Sequence, residues 1–131
     1  MADGTAELER SLAGCRVLVV EDQYFIADDV RSALEMRGAT VVGPVGRLDE
    51  AFALLGDAVP IHLAVIDIDL HGERAYGLAD ALRARGIPII FATGYGADAI
   101  PAAYAGVLRW EKPYRYEALV ASLAALRAPP E

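Results

Sequence analysis

The chain has one cysteine, Cys15, so no internal disulfide can brace it, and a reducing compartment such as the cytoplasm suits it. It has no apolar run of membrane-spanning length, and residues 1–14 hold no apolar stretch of the kind a secretion signal needs. We therefore expect a cytoplasmic protein with no membrane contact. Basic residues are few: 12 Lys and Arg face 19 Asp and Glu, a formal net charge of −7, and no element gathers the basic ones. A nucleic-acid ligand needs a basic footprint, so direct contact with DNA or RNA is not expected. Repeats, low-complexity tracts and a linker to a second domain are missing too. What is there is 55% hydrophobic and 24% charged over 131 residues, the balance of one globular domain with a real core.

The chain is organised around Ile61 to Gly72, IHLAVIDIDLHG. Leu63 to Ile66 form a short unbroken apolar run, which marks a strand buried on both faces of a parallel sheet. It ends on Asp67, with Asp69 close behind. Cys15 to Val20 is a similar run that leads into Glu21 and Asp22. Tyr24 to Arg37 has helical spacing through Ile26, Val30, Ala33 and Leu34, and Gly38 is placed to stop it. Ala39 to Val45 reads as a strand, and Pro44 puts it at a sheet edge. Leu48, Phe52 and Leu55 mark a second helix.

After the loop His71 to Arg74 we expect a helix over about Ala75 to Arg85, with Leu78, Ala81 and Leu82 inward, stopped by Gly86. Ile87 to Ala92 is a fourth strand ending on Thr93. A weak helix is expected over Asp98 to Ala105, with Gly94, Gly96 and Pro101 working against it. Val107 to Trp110 is a fifth strand, followed by Lys112 and Pro113. Tyr116, Leu119, Leu123 and Leu126 give a last helix. Residues 1–14 read as a short arm, with one helical turn at Ala6–Leu12, residues 15–127 as the domain, and 128–131 as a tail. Five strands alternating with five helices imply an α/β fold: a flavodoxin-like, doubly wound (βα)5 parallel sheet in the order 2-1-3-4-5. Such a sheet binds ligands at the carboxyl ends of its strands, at the switch between strands one and three.

Five side chains meet at those ends: Glu21 and Asp22, Asp67, Thr93, and Lys112. Crowded carboxylates repel one another and favour a hard divalent cation, and an all-oxygen donor set selects Mg²⁺ or Mn²⁺. The ligands would be Glu21, Asp22, Asp67 and the backbone carbonyl of Asp69. Thr93 and Lys112 suit a phosphoryl group instead, carried on Asp67 as an acyl phosphate.

At these residues the chain resembles the receiver domain of bacterial two-component response regulators, over Cys15 to about Arg127. The acidic pair in VVED, Asp67 in VID, Thr93 and Lys112-Pro113 stand in the family's order and spacing. The resemblance implies that a histidine kinase phosphorylates Asp67, that Thr93 moves toward the phosphoryl group, and that the Lys-Pro peptide is cis. It implies a stand-alone response regulator without an output domain, passing its signal to a target protein or its phosphate to a histidine phosphotransferase. FATGYG (Phe91 to Gly96) is similar to the FATGUY subgroup, which works with kinases of the HWE/HisKA2 type, although Gly96 stands where the motif has an aromatic. The family's aromatic switch position is Arg109 here, with Trp110 beside it, so Tyr95 or Trp110 is a candidate to take that role.

Other readings compete. VIDIDLHG is similar to the DxD signature of haloacid-dehalogenase phosphatases, with Asp67 as nucleophile and Asp69 as acid/base. A receiver-like module that binds partners without being phosphorylated is a third reading. Blander roles are also open: Glu21 and Asp22 as caps of the first helix, Thr93 as a turn residue, Lys112 as a surface lysine. His62 reads as structural, His71 as solvated near Asp67, and Cys15 as a small core residue.

Overall fold

The structure, a computed structural model, describes residues 10–57, 59–94 and 100–127. Its elements in order are β1 (Arg16–Val20), α1 (Tyr24–Glu35), β2 (Thr40–Val45), α2 (Leu48–Gly56) and β3 (Leu63–Asp67). They continue with β4 (Asp69–Leu70), β5 (Glu73–Arg74), α3 (Tyr76–Ala84), β6 (Ile89–Thr93), a 3-10 turn (Ala102–Tyr104), β7 (Leu108–Glu111) and α4 (Tyr116–Leu126).

The apolar runs decide the sheet. All residues of β3 are buried, and β1 and β6 are buried over most of their length. Parallel pairing gives the order β2-β1-β3-β6-β7. With the short β4 and β5 set aside, this is the expected 2-1-3-4-5. β2 lies at the edge, where Pro44 costs no ladder hydrogen bond, and its register against β1 slips between Leu18 and Val20.

Strand alternation splits the core into two layers. Leu18, Val20, Ile66 and Phe91 face α2 and α3, with Leu55, Leu78 and Leu82 packed on them. Val17, Val19, Val65 and Ile90 face α1 and α4, with Val30, Leu34, Leu119 and Leu123. Leu12 belongs to the second layer and is fully buried; Arg127 donates to the carbonyls of Ser11 and Ala13, tying this segment to the end of α4. Gly38 has φ +90°, and a Cβ there would meet Ala13 Cα at 3.0 Å, so glycine both ends α1 and admits this segment.

Three expectations need correction. Phe52, spaced with Leu48 and Leu55 as one apolar face, is 44% exposed; the buried residues of α2 are Ala51, about 100° round the helix from it, and Leu55, about 60° round on the same side. Where a helix over Asp98 to Ala105 was expected, the described part is one 3-10 turn. Pro101 before it is extended (ψ 149°), so no longer helix can start there. The loop His71 to Arg74 contributes a two-stranded ribbon: β4 pairs antiparallel with β5, Asp69 opposite Arg74. Both turn residues, His71 (φ 51°) and Gly72 (φ 87°), have positive φ, as a tight two-residue hairpin of the primed type needs. The helical turn expected at Ala6–Leu12 lies mostly outside the described residues.

Candidate functional site

The sheet brings the predicted groups together. Glu21 follows β1, Asp67 ends β3, Thr93 ends β6 and Lys112 follows β7, and each depends on parallel pairing for its place. Asp67 and Glu21 are both buried, 4% and 5% exposed. Lys112 Nζ lies 2.7 Å from Glu21 Oε1 and 2.9 Å from Asp67 Oδ2, and donates also to Gln23 Oε1 at 3.1 Å. The Lys112–Pro113 peptide is cis, and the Lys112 N–H donates to Thr93 O at 2.7 Å, seating the lysine beside β6. The second Asp67 oxygen, Oδ1, accepts from the Asp69 N–H at 3.0 Å. Asp67 is thus held at both oxygens.

Glu21 Oε2 accepts from the Gln23 N–H at 3.0 Å, at the entry to α1, so the helix-capping role and the cluster role coexist. Asp22 stays beside the cluster, and its Oδ2 accepts from the His71 N–H at 3.1 Å, which joins the ribbon turn to the acidic pair. His71 itself is exposed. His62 is structural, its Nδ1 accepting from the Arg16 N–H at 2.9 Å, and Cys15 is buried in the core.

A cleft of about 680 Å³ opens over these groups, lined by Asp22, Asp67, Asp69, Arg74, Thr93 and Lys112 among others. Carboxylate oxygens of Glu21, Asp22 and Asp67 lie within 4.8 Å of one another, so the three can hold a metal ion. Three carboxylates and one ammonium leave the cluster with excess negative charge in a poorly solvated place. Burial pushes Glu21 up to about 7, against the pull of Lys112, and burial likewise raises Asp67. Burial works to lower Lys112, but its bonds to Glu21 and Asp67 outweigh that and its pKa is raised. An oxygen donor set with surplus charge fits a hard divalent cation.

Glu21 titrates higher in the folded chain than in the unfolded one, near 4.3, so its contribution is present below about pH 4 and is lost as pH rises through about 7. Lys112 stays charged across this window. The metal-free protein is expected to lose on the order of 2 kcal/mol between pH 5 and pH 8. Thermal unfolding in chelator at the two pH values measures it, and a saturating divalent cation should remove most of the difference.

The aromatic candidates separate. Trp110 packs in the α1/α4 layer, on the far side of the sheet from Phe91. Tyr95 lies outside the described residues. An aromatic group not read from the sequence does border the cleft: Tyr76, on its wall, stacks on Tyr104 at 4.8 Å, and Phe91 meets both edge-on. The Tyr104 hydroxyl donates to Asp80 at 2.6 Å.

Among solved structures, SdrG from Sphingomonas melonis Fr1 is 34% identical, with a TM-score of 0.75, over 88% of this chain and 97% of that one. The chain belongs to the response-regulator receiver family. The BeF3-activated conformation of SdrG from Pseudomonas melonis Fr1 is 35% identical to this receiver with a TM-score of 0.72, covering 87% and 97% of the two chains. A response regulator from Burkholderia pseudomallei, solved with a phosphorylated aspartic acid, calcium ion and citrate, is 27% identical with a TM-score of 0.72, covering 86% of the receiver and 69% of that chain. No protein-family model matches the receiver, and no curated protein does. Among its described residues no helix is long and apolar enough to cross a membrane.

Proposed function

We propose that this receiver is a phosphorylation switch: a histidine kinase, for which the FATG segment suggests the HWE/HisKA2 type, transfers a phosphoryl group to Asp67. The observation that carries the reading is the buried Asp67 carboxylate, fixed by Lys112 at 2.9 Å and the Asp69 N–H at 3.0 Å, beneath an open cleft. An Asp67 oxygen attacks phosphorus, the bond from phosphorus to the donor nitrogen breaks, and the nitrogen leaves with the electron pair. Glu21, Asp22, Asp67 and the Asp69 carbonyl would hold Mg²⁺, which supplies positive charge for the phosphoryl oxygens. Lys112 orients the attacking carboxylate, and the Thr93 hydroxyl at the cleft rim donates to the bound phosphoryl group. Output then passes through contacts with a target protein or a histidine phosphotransferase.

Incubation with phosphoramidate and Mg²⁺ tests this. A hydroxylamine-labile adduct is expected on the wild type, reduced at least a hundredfold in Asp67→Asn and in chelator. An adduct that survives in Asp67→Asn would place the chemistry elsewhere. Steady turnover of phosphate esters without an adduct would favour a phosphatase using Asp67 and Asp69.

A further inference from the structure

Lys112 is fully committed. An ammonium group has three N–H donors, and Nζ has three acceptors around it, on Glu21, Asp67 and Gln23. A phosphoryl group arriving on Asp67 brings new oxygens, and Lys112 serves them only by giving up a present partner. The other cation lining the cleft is Arg74. Its guanidinium offers five N–H donors in a planar fork, and among the described residues it has no hydrogen-bond or ion-pair partner. It lines the same cleft as Asp22, Asp67 and Asp69 without pairing with any of them.

The ribbon explains why Arg74 faces the cleft. Leu70 on β4 is buried in the core, so its neighbour Asp69 points the opposite way. Arg74 stands directly across from Asp69, and cross-strand partners project from the same face. Their Cα atoms are about 5 Å apart in such a pair. The Asp69 N–H already holds Asp67 Oδ1, so Arg74 begins one strand's width from the group that anchors the acceptor. The ribbon's tight turn is tied in turn to Asp22 through the His71 N–H. A guanidinium with a long reach stands on this hairpin at the lip of the cleft over Asp67.

We infer that Arg74 binds the phosphoryl oxygens on Asp67, adding charge-assisted donors to those that Lys112 can redirect there, and so sets the rate of phosphorylation from small donors. The inference rests on the phosphoacceptor reading of Asp67. Beryllofluoride, a phosphoryl mimic, and phosphoramidate are the probes, with Mg²⁺ present throughout. Arg74→Ala is expected to bind beryllofluoride about tenfold more weakly and to form the Asp67 adduct about tenfold more slowly. Arg74→Lys should recover part of each loss, and Arg74→Glu should lose more than alanine does. Mg²⁺ affinity without beryllofluoride and thermal stability should not fall in Arg74→Ala, because the side chain is exposed and its removal takes a positive charge away from the metal site.

Wild-type binding and phosphorylation with an unchanged Arg74→Ala would overturn the inference and leave the phosphoacceptor reading intact. So would Mg²⁺ affinity or thermal stability falling in step with beryllofluoride, since Arg74 would then support the fold. Failure of the wild type with both probes would instead remove the phosphoacceptor reading itself.

Discussion

Lys112→Ala is expected to destabilise the metal-free domain by about 3–5 kcal/mol at pH 8. Its side chain is only 12% exposed and contacts two carboxylates that are 4% and 5% exposed, so its loss leaves two buried negative charges uncompensated. Breaking a buried pair costs far more than the intact pair contributes, because the surviving charge keeps its desolvation penalty. The cost should depend on pH. Glu21 already titrates near 7 with the lysine in place, and without it Glu21 and Asp67 will hold protons to higher pH. At pH 5.5 the loss should shrink to about 1–2 kcal/mol, the share owed to packing of the lysine stem. Mg²⁺ should restore part of the stability at pH 8 by binding the folded state alone. Denaturant unfolding of Lys112→Ala and Lys112→Met at both pH values measures these parts. An equal loss at pH 5.5 and pH 8 would mean that packing, not charge, is what the lysine provides.

Lys112→Arg should not restore the site. A planar fork is larger than an ammonium and does not reach three acceptors around one nitrogen. Phosphorylation of Lys112→Ala and of Lys112→Arg should fall by roughly a hundredfold, since the Asp67 carboxylate would lose the contact that orients it.

The sheet and four corners of the site were legible because each leaves a local trace. β1, β3 and β6 are continuous apolar runs of strand length, and a chain that buries both strand faces has no other place for polar residues than the strand ends. Glu21, Asp67, Thr93 and Lys112 stand there for that reason. Pro44 likewise announced an edge strand. What stayed hidden depended on partners distant in sequence. Phe52 has the composition of a core residue, yet the side of α2 that packs on the sheet runs through Ala51 and Leu55 and leaves it 44% exposed. Leu12 looked like part of a polar arm, but Arg127 draws the neighbouring carbonyls onto the domain.

The ribbon was half legible: His71-Gly72 is a two-residue turn, yet strands of two residues leave no periodicity to read. Arg74 was missed with it, since its direction follows from the register against Asp69. The stack of Tyr76 on Tyr104 joins residues 28 apart, and spacing along the chain carries no sign of it.

That aromatic group gives the second large effect. Phe91→Ala is expected to cost about 3–5 kcal/mol: the ring is fully buried, and its removal opens a cavity beneath two tyrosines. Each lost edge-on pair adds about 0.5–1.5 kcal/mol within that range. Ile90→Ala, one residue earlier on β6, opens a cavity of similar kind in the other layer and should cost about 2–5 kcal/mol. The two variants are expected to differ in chemistry. Phe91 supports Tyr76 and Tyr104, and Tyr76 forms part of the cleft wall, so Phe91→Ala should slow adduct formation on Asp67 several-fold even where the protein is fully folded. Ile90 faces α1 and α4 and does not itself line the cleft, and its truncation should leave that rate within about twofold. Denaturant midpoints and phosphoramidate rates, both taken well below the melting range, separate the effects. Equal slowing in both variants would show that the rate follows global stability and that the aromatic wall has no separate part in it.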